Sequence, residues 1–202
     1  MAAGKSAPHG EAWTDQRIPV RWVVIFYGAL GAAAVAWRLG ADGVLPWRAS
    51  ADAALAPLAL RLVLGVAAGL ALVALSRFAT AHSRAGRALA HELARLLGPL
   101  STRRALAFAL ASGLAEEAFF RGALQPRVGV VVATLVFAAA HYVPRPGLRA
   151  WSLFALVAGA LFGALFEATG DLVAPAVAHA VVNGINLRWL AERESNAPRH
   201  ST

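Results

Sequence analysis

Seven residues in the C-terminal half of this 202-residue chain have types and spacings suited to acid–base chemistry. They are Glu116, Glu117 and Arg121 in A-E-E-A-F-F-R-G, Phe137 and His141 in F-A-A-A-H, and His179 and Asn183 in A-H-A-V-V-N-G. A carboxylate, two imidazoles and a carboxamide can activate a water molecule, hold it and donate hydrogen bonds to an oxyanion. This set is therefore sufficient for hydrolysis without a metal.

The two adjacent glutamates have different expected partners. Glu117 and Arg121 are four residues apart with the acid first, which is the favourable order for an ion pair within a helix. Glu116 is turned by about 100° around the helix axis, so Arg121 cannot serve both carboxylates equally. Glu116 therefore needs another partner, either as a catalytic group or as part of a buried polar contact between helices.

The histidines and asparagines indicate a functional site only when they are considered together. Phe137 stands one turn before His141, but a single histidine near a helix end is more often a hydrogen-bonded interfacial residue than a catalytic one. His179, Asn183 and Asn186 follow i, i+4, i+7 spacing and form one polar stripe. We interpret Asn186 as a hydrogen bond between helices, and His179 and Asn183 as site candidates.

The elements that must position these residues are apolar and long. The chain is 58% apolar and 15% charged, with a mean hydropathy of +0.57, unlike ordinary soluble domains. About 20 helical residues cross a bilayer. The predicted fold is all-α, a polytopic integral membrane protein with about six transmembrane helices in one domain, residues 1–202. The predicted spans are Trp22–Leu39, Ala54–Leu75, Ala105–Leu124, Val128–Val143, Trp151–Thr169 and Leu172–Leu190.

The segments between and around the spans are polar or amphipathic. Ser83–Leu97 alternates leucines with basic residues at helical spacing, which predicts one interfacial amphipathic helix. Residues 1–21 and 191–202 are predicted to be polar tails, and residues 105–190 to be the catalytic helices. The first two spans read as scaffold, although Arg61 interrupts the second, and we expect its side chain to snorkel toward the interface.

The net charge of +8 points to a lipid bilayer and not to nucleic acid, because the basic residues flank apolar runs and form no nucleic-acid-binding motif. With the N-terminus in the cytoplasm, fourteen basic residues fall on the cytoplasmic side, and only Arg38, Arg48 and Arg127 on the other. The positive-inside rule therefore predicts that both termini are cytoplasmic. The lack of cysteine excludes disulfides, thiolate nucleophiles and cysteine-ligated zinc.

The three motifs, taken in order, resemble the family of CAAX-processing and bacteriocin-processing intramembrane proteases, also called the ABI family. Its signature is E-E-x-x-x-R, F-x-x-x-H and H-x-x-x-N, and the likeness extends over residues 105–190. The resemblance implies that Glu116 activates water, that His141 and His179 position it or stabilise the transition state, and that Asn183 helps to form the oxyanion hole. It also makes Glu117, Arg121 and Phe137 supporting residues.

The resemblance implies an intramembrane endopeptidase whose substrate is a membrane-anchored protein or peptide with a CAAX-like, lipidated or C-terminal sorting tail. The composition, rich in alanine and arginine, favours a bacterial inner membrane protein. We expect no cofactor, because Asn183 suits an oxyanion donor better than a ligand. The alternative is a metal-dependent enzyme in which Glu116, His141 and His179 bind zinc.

Two other functions are compatible with the same residues: a non-catalytic scaffold that binds a peptide, and a small transporter with a proton relay. The oligomeric state is not indicated. The predicted spans also leave a geometric conflict, because Glu116 and His179 fall near the middle of the membrane whereas His141 falls near the cytoplasmic end of a short fourth span. Convergence requires one of these helices to be displaced.

Overall fold

The computed structural model describes residues 20–98 and 100–195, and within these ranges the regular structure is helical apart from an isolated bridge between Arg48 and Asp171. The helices are α1 (Val20–Asp42), α2 (Leu58–His82), α3 (Arg84–Leu97), α4 (Thr102–Glu117), α5 (Gln125–Ala140), α6 (Arg149–Thr169) and α7 (Val173–Ser195). A π-helical segment, Ala118–Leu124, joins α4 to α5, and a 3₁₀ turn, Pro146–Leu148, precedes α6. The all-α fold class is confirmed.

Four helical runs of the described residues are long and apolar enough to cross a membrane: Arg21–Asp42, Leu58–His82, Thr102–Ala140 and Pro146–Thr169. The third of these runs contains the predicted third span and most of the fourth. Helix α7 falls short of the apolar criterion because polar residues, which the site uses, lower its mean hydropathy. The chain is therefore a polytopic membrane protein, and the number of six spans stays a prediction.

Contacts between helices fix their directions. Gly31 of α1 faces Ala115 of α4, and Asp42 pairs with Arg127, so α1 and α4 run parallel. Helix α7 runs antiparallel to α4, since Asn183 bonds to Ser112 and Arg188 to Thr102. Val20 and Ser195 therefore lie at the same end of the bundle, here called the terminal end. The opposite end, which holds Asp42, Gly129 and Asp171, is the far end.

The chain reverses direction at Gly129, whose φ of 78° and ψ of 164° interrupt the helix. Such a conformation is essentially confined to glycine. After this turn, residues 130–140 run back along the π-helical segment, and the helix ends at His141 (φ −94°, ψ 5°). The predicted fourth span, Val128–Val143, is thus shorter than expected. Its shortness returns His141 to the level of Glu116, which removes the conflict in depth.

Helices α2 and α7 pack closely through two glycines one turn apart. A Cβ atom on Gly65 or Gly69 would approach backbone or side-chain atoms of α7 to 2.7 Å. Small residues four apart allow this close approach of membrane helices, whose association depends on van der Waals packing. Next to this contact, Phe162 and Leu165 of α6 pack with alanines of α7 in a buried cluster.

Helix α3 confirms the predicted amphipathic helix at Ser83–Leu97. The Ser83 hydroxyl caps it by accepting a hydrogen bond from the Gly86 amide at 2.9 Å. Ala90 and Ala94 are buried against Leu190, whereas Arg84, Arg87 and Arg95 are exposed.

The structure adds detail to two expectations about the chain outside the site. Helix α7 continues to Ser195, so the predicted C-terminal tail begins five residues too early; residues 196–202, and 1–19 of the predicted N-terminal tail, lie outside the described residues. Arg61 forms an ion pair with Asp171 at the far end instead of merely snorkelling. A paired charge is cheaper to hold at a membrane interface than a single one.

Candidate active site

The ion pair predicted within the third span is fully buried. Glu117 and Arg121 are 0% and 1% exposed, and their Oε2 and Nε atoms are 3.3 Å apart. Arg121 also donates a hydrogen bond to the Gly159 carbonyl at 3.0 Å, and its guanidinium lies 4.3 Å from the centre of the Phe137 ring. Buried charges of this kind persist only when they are paired and hydrogen-bonded.

Glu117 also orients His179. The Nδ1 atom of His179 lies 2.8 Å from Oε1 of Glu117, and the ring stacks on Phe162 with an interplanar angle of 19°. A carboxylate oxygen accepts hydrogen bonds, so Nδ1 carries the proton. The other ring nitrogen, Nε2, consequently faces Glu116, whose Oε2 atom is 4.0 Å away.

His141 has the same arrangement with a different partner. Its Nδ1 atom lies 2.8 Å from the Phe137 carbonyl oxygen, which can only accept, so this nitrogen also carries the proton. Its Nε2 atom is 3.7 Å from Oε2 of Glu116. The edge of Trp151 packs against the imidazole, with ring centroids 5.4 Å apart. The position of His141 at the helix end is thus fixed by its own preceding turn and by α6.

Glu116 is the residue on which both imidazoles converge. It is 8% exposed, and within the described residues its Oε2 atom is buried and makes no direct hydrogen bond. The separations of 3.7 and 4.0 Å from the two Nε2 atoms are longer than direct hydrogen bonds. Polar groups at such distances are suited to sharing a third atom, such as the oxygen of a water molecule.

Asn183 lies one turn after His179 and is held by α4. Its Nδ2 atom donates to Oγ of Ser112 at 2.9 Å, and Ser112 donates to the Ala109 carbonyl at 3.3 Å. Asn186, farther along α7, accepts a hydrogen bond from Ser76 of α2 at 3.2 Å. Both asparagines thus bond to a neighbouring helix and both line the cavity, so their separate roles stay predictions.

One cavity of about 680 Å³ contains Glu116, His141, His179 and Asn183 in its wall. The cavity extends from these four residues toward the terminal end, where leucines of α3 and Arg104 line it. Phe137 lines it as well, whereas Glu117 and Arg121 are buried behind it. The structure thus brings together all seven residues chosen from the sequence.

Other residues of the site were not predicted. Phe162 and Trp151 of α6 pack against the two imidazoles, and nothing in the apolar sequence of α6 distinguishes them from its other aromatic residues. Ser112 precedes Glu116 by four residues on the same helix face, and this spacing could have identified it. Tyr27 of α1 lines the same cavity as Glu116 and Ser112, and no motif points to it.

The zinc alternative can be compared with this geometry. A glutamate and two histidines form a plausible donor set. Among the described residues, however, no three histidine, aspartate or glutamate side chains are arranged to hold a metal ion. The metal-free and the metal-dependent mechanism both stay predictions.

The fold and the site together define a polytopic membrane protein with a partly buried Glu–His–His–Asn cluster that lines a cavity. Residues 99–185, which contain the cluster, match the family model described as type II CAAX prenyl endopeptidase Rce1-like. The resemblance drawn from the three motifs is thereby confirmed over these residues.

A curated protein is similar to the chain over a shorter stretch. The chain is similar to the uncharacterized protein YpbD of Bacillus subtilis strain 168, with 40% identity over 73 residues, which is 35% of this chain and 37% of the relative. The match thus spans little more than a third of that protein. No solved structure matches the chain.

Proposed function

We propose that this protein is an intramembrane endopeptidase that hydrolyses a peptide bond near a membrane anchor or a lipidated tail, with water activated by Glu116. The observation that carries the proposal is the convergence on Oε2 of Glu116 of two imidazole Nε2 atoms, at 3.7 and 4.0 Å. Both rings are held through Nδ1, so their orientation precedes substrate binding. Such preorganisation is what general acid–base catalysis requires.

In the proposed reaction, Glu116 takes a proton from water while the water oxygen attacks the carbonyl carbon of the scissile peptide bond. The second hydrogen of the water is donated to Nε2 of either His141 or His179, and this hydrogen bond holds the water in place. The carbon–nitrogen bond of the tetrahedral intermediate then breaks, and the protonated Glu116 returns the proton to the leaving amine. No external redox partner or cofactor is needed to balance these steps.

Asn183 is the proposed oxyanion donor. A carboxamide has two N–H donors, and Ser112 accepts a hydrogen bond from one of them. The other can stabilise the negative charge that develops on the carbonyl oxygen. Loss of one such donor lowers kcat by about 10²–10³-fold in other hydrolases.

The substrate class is inferred from the cavity and from the family. The wall around the catalytic cluster consists mostly of apolar side chains from α2, α3, α4, α6 and α7, which suits an apolar or lipidated segment beside the scissile bond. The family description names CAAX prenyl endopeptidases. Because the chain lies in a bilayer, a membrane-anchored protein or peptide is the simplest substrate.

The proposal is tested by comparing intact masses of membrane proteins from cells with and without this chain. We expect at least one protein to be shorter only when the chain is present. Repeating the cleavage with purified protein in H₂¹⁸O should place one ¹⁸O atom in the new carboxylate, because the attacking nucleophile is water. Identical mass profiles in both cell types would contradict proteolysis and favour a peptide-binding scaffold.

A further inference from the structure

The charged side chains that line the cavity, histidines aside, lie at two separate levels. They are Glu116 in the catalytic cluster and two arginines at the terminal end, Arg77 near the end of α2 and Arg104 near the start of α4. Arg104 precedes Glu116 by twelve residues on the same helix, which is about 18 Å along the helix axis. The cavity wall is otherwise mostly apolar. A molecule that fills the cavity therefore meets positive charge at a fixed distance from the proposed base.

Neither arginine forms an ion pair with any side chain that the structure describes. Glu92 and Glu192 lie at the same end, but each pairs with an arginine of its own helix, at 3.8 and 2.7 Å. A guanidinium keeps its charge at any accessible pH, and a charge beside an apolar wall is stabilised by a counter-ion. Arg77 and Arg104 are therefore available to an anionic group that enters the cavity.

Arg77 packs on an indole that a second arginine also contacts. Its guanidinium carbon lies 3.7 Å from the centre of the Trp189 ring, and that of Arg193 lies 4.6 Å from the same centre. The two like charges are thus no more than about 8 Å apart, within the screening length of about 10 Å at 0.1 M salt. An anion beside them relieves their repulsion. Packing on an aromatic face leaves the N–H edge of a guanidinium able to bind a carboxylate through two hydrogen bonds.

We propose that Arg77 and Arg104 form a subsite that binds a carboxylate of the substrate. The inference rests on the proposed function, because the ligand is the substrate of that reaction. An extended chain spans at most about 3.3–3.6 Å per residue, so the separation of about 18 Å corresponds to roughly five residues. The carboxylate is therefore within about five residues of the scissile bond, either at the C-terminus of the substrate or on an acidic side chain.

A lipid phosphate has suitable charge for the same arginines, but their position favours the substrate. Both line the cavity that holds the catalytic cluster, so one extended segment can contact the arginines and Glu116 together. A lipid headgroup in this place would compete with the substrate for the cavity. Arg77 also lies outside residues 99–185 that match the family model, so α2 contributes to recognition from outside the matched segment.

Binding is tested with E116Q protein, which should leave its ligand uncut, in a neutral detergent. The probe is an N-palmitoylated peptide of five alanines, compared as the C-terminal acid, as the C-terminal amide, and as the amide with glutamate in the last position. We expect at least one of the two peptides with a carboxylate to bind at least about tenfold more tightly than the uncharged amide. The acid and the glutamate peptide distinguish a terminal carboxylate from a side-chain carboxylate. Adding R77Q and R104Q should remove the preference by weakening the charged peptides alone.

The matched control is R84Q, because Arg84 is an exposed arginine at the same end that does not line the cavity. This variant should keep the preference for a carboxylate. Equal affinity of E116Q protein for all three peptides would overturn the inference. An equal loss of the preference in R84Q would also overturn it, by showing a general effect of surface charge.

Phosphatidylglycerol added to the micelles tests the lipid alternative. We expect the preference for a carboxylate to persist in its presence. Displacement of the charged peptides by this lipid, abolished by R77Q and R104Q together, would assign the subsite to a lipid phosphate and overturn the inference.

Kinetics on the substrate found by the mass comparison separate the subsite from the catalytic cluster. The double variant R77Q/R104Q should raise KM by about tenfold and change kcat by less than about threefold, because the subsite is remote from the reacting atoms. An unchanged KM in this variant, together with an inactive E116Q, would overturn the subsite and leave the proposed base standing. Full activity in E116Q would overturn the proposed function, whatever the peptides bind.

Discussion

Glu117 has two tasks at once, because its two oxygens face different partners. One oxygen lies 2.8 Å from Nδ1 of His179 and the other 3.3 Å from Nε of Arg121. The carboxylate thus neutralises a buried guanidinium and fixes the tautomer of a proposed catalytic imidazole. Stability and catalysis can be separated by choosing which partner to remove.

Replacing Arg121 with glutamine should destabilise the protein strongly, by about 3–5 kcal/mol, because Glu117 would remain as an unpaired buried charge. The double variant E117Q/R121Q removes both charges and should recover most of this loss. It should nevertheless stay impaired in cleavage, since a carboxamide stabilises the His179 imidazole less well. Thermal unfolding in detergent and cleavage rates measure the two effects. Equal unfolding temperatures for the single and the double variant would contradict this account.

Contacts between residues of one helix were the part of the site that the sequence predicted best. The i, i+4 spacing of Glu117 and Arg121 predicted a contact within one helix, and such contacts depend on local geometry alone. The prediction that Glu116, His141 and His179 act in one site came from the resemblance to a known family. Tyr27 was missed because it lines the cavity from α1, and helical periodicity does not predict which helices become neighbours.

At the level of elements, the hairpin at Gly129 decides whether the site forms. The turn shortens α5 to the length that returns His141 to Glu116. Its backbone has a φ of 78°, and a Cβ atom there would meet nothing within 4 Å. Any penalty for a side chain at this position is therefore conformational and not steric.

The variant G129A should lose about 1–3 kcal/mol of stability through backbone strain and should lower kcat by displacing His141. Gly40 provides a matched control, because a Cβ there also meets nothing within 4 Å but the residue lies in regular helix. G40A should be neutral or slightly stabilising. These effects are read from unfolding midpoints and cleavage rates. A G129A protein as stable and active as G40A would show that the hairpin does not depend on this conformation.

Sequence patterns predicted the helices but not the hairpin turn at Gly129. The chain has 18 glycines, and Gly113 and Gly122 stand in the same long helical run as Gly129 without breaking it. The π-helical segment Ala118–Leu124 likewise follows the two glutamates without a sequence signal. Neither feature follows from local helix propensity, which tertiary packing can override.

Over the whole molecule, the two ends of the bundle differ. At the far end, ion pairs of Asp42 with Arg38 and Arg127, and of Asp171 with Arg61, tie α1 to the start of α5 and α2 to the start of α7. The cavity instead extends toward the terminal end. The proposed catalytic cluster thus lies between the far end, where ion pairs connect the helices, and the terminal end, where the amphipathic helix α3 lines the cavity.

The common end of the two described termini follows from the helix directions, as the basic-residue distribution predicted. Its assignment to the cytoplasm stays a prediction, as does the bacterial inner membrane. Hydropathy was sufficient to predict the membrane class because the apolar runs are long. It could not give the depth of His141, which depends on where within a run the chain turns back.

The central claim is that Glu116 activates the attacking water, and the most direct test is the rate of ¹⁸O incorporation by E116Q. Glutamine keeps the size of the side chain but cannot take the proton. With the substrate found by mass comparison, E116Q should fold as the wild type does, still bind that substrate, and lose cleavage by at least about 10²-fold. The exposed E192Q should cleave normally. An E116Q protein that incorporates ¹⁸O at the wild-type rate would contradict the account.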